Sequence, residues 1–422
     1  MTQFSAFGEK FTRPSGITQL MKDLGDANHS SDKTICMLGG GNPASIPAAE
    51  EIFQAEMQAL LNNDEQFNQV LGLYDGPKGS ERFTSALIKM LNERYNWNLT
   101  TDNVCLTNGS QNSFFSIFNL LAGKMADGSH KKILFPLAPE YVGYAEIGLS
   151  ENMFTSNKPE IELLEEQQFK YHIDFDALNI GDDIAAICIS RPTNPTGNVV
   201  TDQEMAQLEL LAKKHKIPLI VDNAYGFPFP GAIYTDVNPN WDDNIILTMS
   251  LSKLGLPGMR TGIVIANPEI IAAMSSINAI TALAPNSVGP GLMTRLLEKN
   301  EIMDLRENII RPFYREKAQT ATQIAQEKFK DLPVRIHKAE GAFFLWLWCE
   351  GLPVSSVELY ERLVKRGVFI IPGEHFFIDI ENDWQHQREC IRMTYAQPDH
   401  VVERGLSIIA EEITLLFDAN GC

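Results

Sequence analysis

Six short apolar runs recur through the middle of the chain: Val104 to Leu106, Ile133 to Phe135, Ile184 to Ile189, Pro218 to Val221, Ile245 to Met249 and Gly262 to Ala266. Each is too short for a helix and is bounded by turn-forming residues. A run that is apolar at successive positions needs apolar surroundings on both faces, as in a parallel sheet covered by helices. Helical patterns lie between several of the runs. Thr201 followed by Glu204 spells a capping box, and Met205, Leu208 and Leu211 then line one face. Lys213, Lys214 and His215 close that helix, where cations favour the macrodipole. The alternation predicts an α/β fold, with a mostly parallel sheet between helices in a large domain.

The C-terminal third carries a different pattern. Ala342 to Trp348 is an aromatic-rich strand, with Val368 to Ile371 and Ile391 to Thr394 as partners. The last helix sets Val402, Leu406, Ile409, Ile413 and Leu416 on one stripe. This predicts a smaller α+β domain, with Phe344, Trp346 and Trp348 in its core. The expected division is 48–295 for the large domain, and 1–47 together with 296–422 for the small one. A chain of 422 residues has ample core for both without disulfides or metals.

Composition narrows the function. Against 35 Lys and Arg stand 54 Asp and Glu, a formal net charge of −19. That excess argues against nucleic acid and anionic membranes as partners, so an anionic ligand must be held by a local set of donors. The six cysteines, Cys36, Cys105, Cys188, Cys349, Cys390 and Cys422, are scattered, as reduced thiols of a cytoplasmic protein would be. The N-terminus lacks an apolar signal segment and no uninterrupted apolar stretch is long enough to span a bilayer. No His pair has metal-ligand spacing, and no metal is expected.

Chemistry gathers where the apolar runs end. Lys253 follows Ile245 to Met249 within Ser250-Leu251-Ser252-Lys253; alone, a lysine in such a turn reads as a surface residue. Its company changes that reading. Asp222 ends Leu219-Ile220-Val221 and precedes Asn223-Ala224-Tyr225. Asn194 lies in Asn194-Pro195-Thr196-Gly197, one short loop past Ile189. Gly109-Ser110-Gln111 stands between Val104 to Leu106 and a helix bearing Phe114 and Phe118, and glycine with serine at a helix start is an anion cradle. Ligands of α/β sheets bind at carboxyl ends of strands, and all four elements lie there.

These motifs (GSQ, PTNPTG, DNAY, SLSK with PGMRTG, and RMTY) run in the order of the fold type I pyridoxal-phosphate aminotransferases, and the chain resembles that family over nearly its whole length. The resemblance implies pyridoxal 5'-phosphate as cofactor and assigns roles. Lys253 would bond the cofactor covalently and then carry the substrate's Cα proton. Asp222 would face the pyridine nitrogen, Asn194 and Tyr225 its phenolic oxygen, and Tyr141 the ring face. Gly109, Ser110, Gln111, Ser250 and Arg260 would hold the phosphate. Arg392 would clamp the substrate carboxylate, with Asn194 and Gly41 beside the substrate. Tyr74 would reach the cofactor of a neighbouring subunit, which implies a homodimer with shared active sites.

The N-terminal stretches FTRPSGI, MLGGGNP, YDGPKG and LFPLAPEYVGY are most similar to members that move the amino group of valine to pyruvate. Ile17, Leu283 and Ala284 are the candidate apolar contacts. Other amino acids, or a lyase reaction of the same fold, use the same Lys253 and Asp222 and stay open at this point. Gly39-Gly40-Gly41-Asn42-Pro43-Ala44 also matches a dinucleotide-binding fingerprint, with Asp64 at the right interval. Pro43 and Pro47 keep those glycines from opening a helix, so a substrate loop is the better reading.

Overall fold

A computed structural model describes residues 2–12, 25, 35–380 and 384–419; Ile17 and Cys422 lie outside them. The six apolar runs are strands of one eight-stranded sheet. Its order is Val104–Thr107, Gly262–Ile265, Ile245–Ser250, Leu219–Asp222, Ile184–Ser190, His130–Phe135 and Gly123–Lys124, with Phe154–Ser156 also on His130–Phe135. Gly262–Ile265 runs antiparallel to both neighbours. The parallel centre explains the unbroken apolar runs, because alternate residues feed two cores on opposite faces. Leu106, Ile187, Ile189, Val221 and Leu247 join one core, and Cys105, Ala186, Cys188, Ile220 and Ile246 join the other. A polar residue at any of these positions would be buried without a partner, at about 1–3 kcal/mol.

The helices follow their local signals. Thr201 and Glu204 complete both halves of the capping box before helix Asp202–His215, which Lys216 ends in a left-handed conformation. The stripe of helix Asp399–Ala419 is buried at all five expected positions and packs on helices Arg311–Lys328 and Ser356–Lys365.

A second sheet has six strands: Ile371–Pro372, Cys390–Thr394, Phe344–Cys349, Val334–His337, Gln168–Ile173 and Pro159–Leu163. Its last two strands form a hairpin from the middle of the chain, which the apolar pattern had not marked. Pro159–Leu163 is an edge strand with exposed glutamates, and Gln168–Ile173 buries Lys170 in an ion pair with Glu340. The expected strand Val368 to Ile371 divides in two. Val368–Phe369 pairs with Cys36–Met37, and Ile371–Pro372 pairs with Cys390–Thr394. Phe344 and Trp346 are core residues, while Trp348 is half-buried.

Register sets the site. Ser190 lies beside Asp222, and Asp222 beside Thr248. Three parallel strands therefore end level, and the loops that follow them converge. Among the described residues no helix is long and apolar enough to cross a membrane.

Candidate active site

Lys253 sits in a single 3₁₀ turn, Ser252–Leu254, directly after strand Ile245–Ser250. Its Nζ donates to the Gly41 carbonyl at 2.7 Å and lies 5.4 Å from the Tyr225 ring centre and 5.7 Å from that of Phe343. Burial, with the Arg392 charge adding to it, brings the amine down to about 8, against the pull of Asp222. A lysine at that value is a nucleophile and a base near neutral pH.

Asp222 is buried at the strand end. Tyr144 donates its hydroxyl to Oδ2, and the Ala224 N–H donates to Oδ1 at 2.9 Å. Burial holds the carboxyl above its usual range, while Tyr144, the Ala224 N–H and Lys253 pull it back. Such a group is ready for a cationic partner.

Arg392 comes from the second sheet. Nη1 donates to Asn194 Oδ1 at 2.8 Å and Nη2 to the Gly39 carbonyl at 2.7 Å. Its guanidinium carbon lies 4.2 Å from the Phe344 ring centre and 5.2 Å from that of Phe376. It is only 3 % exposed, its Nε has no hydrogen-bond partner, and burial lowers it to about 10. Among the described residues no carboxylate faces it, so the alternative of a structural salt bridge fails. The Gly39 and Gly41 carbonyls thus hold the two cations, and no helix starts until Pro47, which excludes the dinucleotide fingerprint.

The phosphate end is built on glycine. Gly109 has φ of 94° and caps helix Ser110–Leu121 without any side-chain hydrogen bond. A Cβ on Gly109 would fall 2.4 Å from Arg260 Nη2, and one on Gly262 would meet Thr107 and the Gly109 carbonyl carbon. The close approach brings the Arg260 guanidinium to the uncapped N–H groups, a pairing suited to a phosphate. Gln111 donates to the Gly143 carbonyl at 2.9 Å, and its buried Oε1 has no partner. Tyr141 stands edge-on to Tyr144, with ring centres 5.2 Å apart. The Ser250 hydroxyl accepts from the Ser252 N–H at 3.1 Å and reaches the Thr261 carbonyl at 3.4 Å. The pocket therefore offers a cationic cradle, a buried carboxylate and a buried amine, which fits pyridoxal 5'-phosphate.

Two expected residues are exposed. Tyr74 is 82 % exposed, and Leu283 is exposed in a left-handed turn. Conversely, Tyr144, Glu140, Gly39 and the rings of Phe343 and Phe344 surround the site, although the sequence assigned none of them a role there. Tyr144 closes the stretch LFPLAPEYVGY, three residues past Tyr141.

The model of the aminotransferase class I and II family matches residues 33–409. The chain belongs to the class I and II aminotransferases. It is 49 % identical over 410 residues to the valine–pyruvate aminotransferase of Escherichia coli, covering 97 % of this chain and 98 % of the relative. It is 47 % identical to the solved valine–pyruvate aminotransferase of Salmonella typhimurium, with a TM-score of 0.88 over 96 % of this chain and all of that one. The fold extends to the kynurenine aminotransferase of Pyrococcus horikoshii, at 22 % identity and a TM-score of 0.78 over 98 % and 97 % of the two chains. The protein is a pyridoxal-phosphate-dependent aminotransferase of the fold type I class, and the lyase alternative is not favoured.

Lys253 yields a pH prediction. Only the unprotonated amine can bond the cofactor, and its fraction rises with pH through about 8. Covalent attachment of pyridoxal phosphate to the apo protein, read from the absorbance of the lysine-bound form, should therefore climb with a midpoint near 8. A midpoint at the ordinary lysine value would show that the amine is not desolvated.

Proposed function

We propose that this aminotransferase exchanges valine and pyruvate for 3-methyl-2-oxobutanoate and alanine in a ping-pong cycle. The observation that carries an α-amino acid site is Arg392, a buried guanidinium with no carboxylate partner among the described residues, held on a carbonyl of the same loop that holds Lys253. The substrate pair follows the two relatives of nearly half-identical sequence.

The bound cofactor supplies an aldehyde carbon and a pyridinium ring that accepts electrons. The chain's residues do the rest. Arg392 takes the substrate carboxylate in its planar fork, and Asn194, already bonded to Nη1, keeps that fork in place. Lys253 then moves a proton from Cα, and its depressed value allows both directions of transfer near neutral pH. Asp222 holds a proton on the pyridine nitrogen, and Tyr144 and the Ala224 N–H fix the carboxylate. Tyr225 and Asn194 would hold the phenolic oxygen, Tyr141 the ring face, and Gly109, Ser110, Gln111, Ser250 and Arg260 the phosphate.

A homodimer accompanies this reading. Leu71, Leu73 and Tyr74 are 56 %, 55 % and 82 % exposed, a run of apolar surface that a second copy would cover. Ser287 donates to Asp75 at 2.7 Å, tying this surface to the segment that follows Leu283. Tyr74 would then serve the partner's site. The proposed division is 48–295 against 1–47 with 296–422, the hairpin 159–173 pairing into the second sheet. A cytoplasmic setting suits the five described cysteines, all free and buried.

The test is spectral. Valine should change the absorbance of the holoenzyme, and pyruvate should restore it with alanine formed in step. A response to aspartate but none to valine would sink the substrate assignment.

A further inference from the structure

Glu140 is a buried carboxyl that the chemistry above leaves unused. Its Oε1 accepts the Ser190 backbone N–H at 2.8 Å, its Oε2 shares a 2.5 Å hydrogen bond with the Ser190 hydroxyl, and the Tyr141 N–H reaches Oε2 at 3.3 Å. Its own N–H donates to the Phe376 carbonyl at 3.0 Å, and the Phe376 ring backs Arg392. One residue therefore joins three parts of the site: Tyr141, the strand end that leads into the Asn194 turn, and the segment behind the carboxylate clamp.

Ser190 is also the register neighbour of Asp222, and the Arg191 N–H donates to the Asp222 carbonyl at 2.8 Å. The Glu140 and Asp222 carboxyls thus sit on adjacent strand ends in one apolar setting, where two negative charges oppose each other. Asp222 has Lys253 to favour its charge. Glu140 has no cation in an ion pair among the described residues. Burial lifts its carboxyl to about 8, the Asp222 charge adds to the rise, and the donors of Ser190 and Tyr141 work against it.

We propose that Glu140 is a positioning residue acting as a neutral carboxyl, which sets Tyr141 and the Ser190–Asn194 turn while leaving Asp222 as the single negative charge at this sheet end. The inference rests on the transamination reading, in which Tyr141 and Asp222 face pyridoxal phosphate. A glutamine at this position keeps an acceptor for the Ser190 N–H and a donor for its hydroxyl, and gives up only the long 3.3 Å bond from the Tyr141 N–H; an alanine keeps none of the three.

The experiment compares wild type, Glu140→Gln and Glu140→Ala. It measures kcat/KM with valine and pyruvate, pyridoxal phosphate affinity of the apo proteins by absorbance titration, and Tm. Glu140→Gln should stay within about threefold of wild type in both kcat/KM and affinity. Glu140→Ala should lose about a hundredfold in kcat/KM through displaced site groups, and about tenfold in cofactor affinity.

Glutamine as impaired as alanine would overturn the neutral-carboxyl assignment. Alanine with a lowered Tm alone, and unchanged kcat/KM and affinity, would reduce Glu140 to a stabilising group and overturn its positioning role. If the alanine variant does not fold, the glutamine variant still decides, because a loss of affinity there contradicts the proposal. A wild-type enzyme inactive on valine would sink the substrate reading separately, since the cofactor titrations still tell the variants apart.

Discussion

Lys253→Ala should lower turnover by about four orders of magnitude or more, because one side chain is both the nucleophile for the cofactor and the base for the Cα proton. The Nζ is placed for both tasks by the Gly41 carbonyl at 2.7 Å and by the Tyr225 and Phe343 rings. Burial supplies the unprotonated amine that a surface lysine would lack. Alanine removes the amine and leaves the cradle of Gly109, Ser110 and Arg260 untouched, so pyridoxal phosphate should remain bound after desalting. Single-turnover absorbance with valine measures the loss directly. Turnover within tenfold of wild type would remove Lys253 from the chemistry.

Asp222→Asn should cost about 3–4 kcal/mol of transition-state stabilisation, a drop of two to three orders of magnitude in kcat. Asparagine keeps the shape and can still accept the Ala224 N–H; its Nδ2 takes the place of the oxygen that accepts from Tyr144, so the change removes the charge together with that one acceptor. Without that charge nothing among the described neighbours keeps a proton on the pyridine nitrogen: Tyr144 donates to Asp222, and Glu140 bonds to Ser190 and Tyr141. The effect should fall on kcat more than on KM, because Arg392 and Asn194, which receive the substrate, are unchanged. A rate near wild type would refute the assigned role. Far-ultraviolet circular dichroism should show no loss of helix, since Asp222 lies at the end of its strand and contributes no apolar packing.

Much of this arrangement was legible in the chain. The apolar runs at 104, 133, 184, 218, 245 and 262 became strands because a strand buried on both faces has a local signature. The Thr201–Glu204 box and the stripe from Val402 to Leu416 were equally local, set by hydrogen bonds and spacings within a few residues. Lys253, Asp222, Asn194 and Gly109 stood out because each follows a run directly, and strand ends are where such a sheet exposes polar groups. The hairpin 159–173 carries no such signature. Its outer strand faces solvent with glutamates, and its inner strand buries a lysine whose partner, Glu340, lies 170 residues on.

By itself the sequence determined the α/β scaffold, the order of the motifs and the residue types able to do the chemistry, since each depends on neighbours along the chain. Only the tertiary structure decided how those residues are tuned. Arg392 meets Gly39 across 353 residues and Asn194 across 198, and Tyr144 reaches Asp222 across 78. Desolvation of Lys253, the absence of a carboxylate partner of Arg392 among the described residues and the pairing of Glu140 with Ser190 are properties of enclosure. Enclosure arises when distant segments pack together, and no local pattern of residues records it.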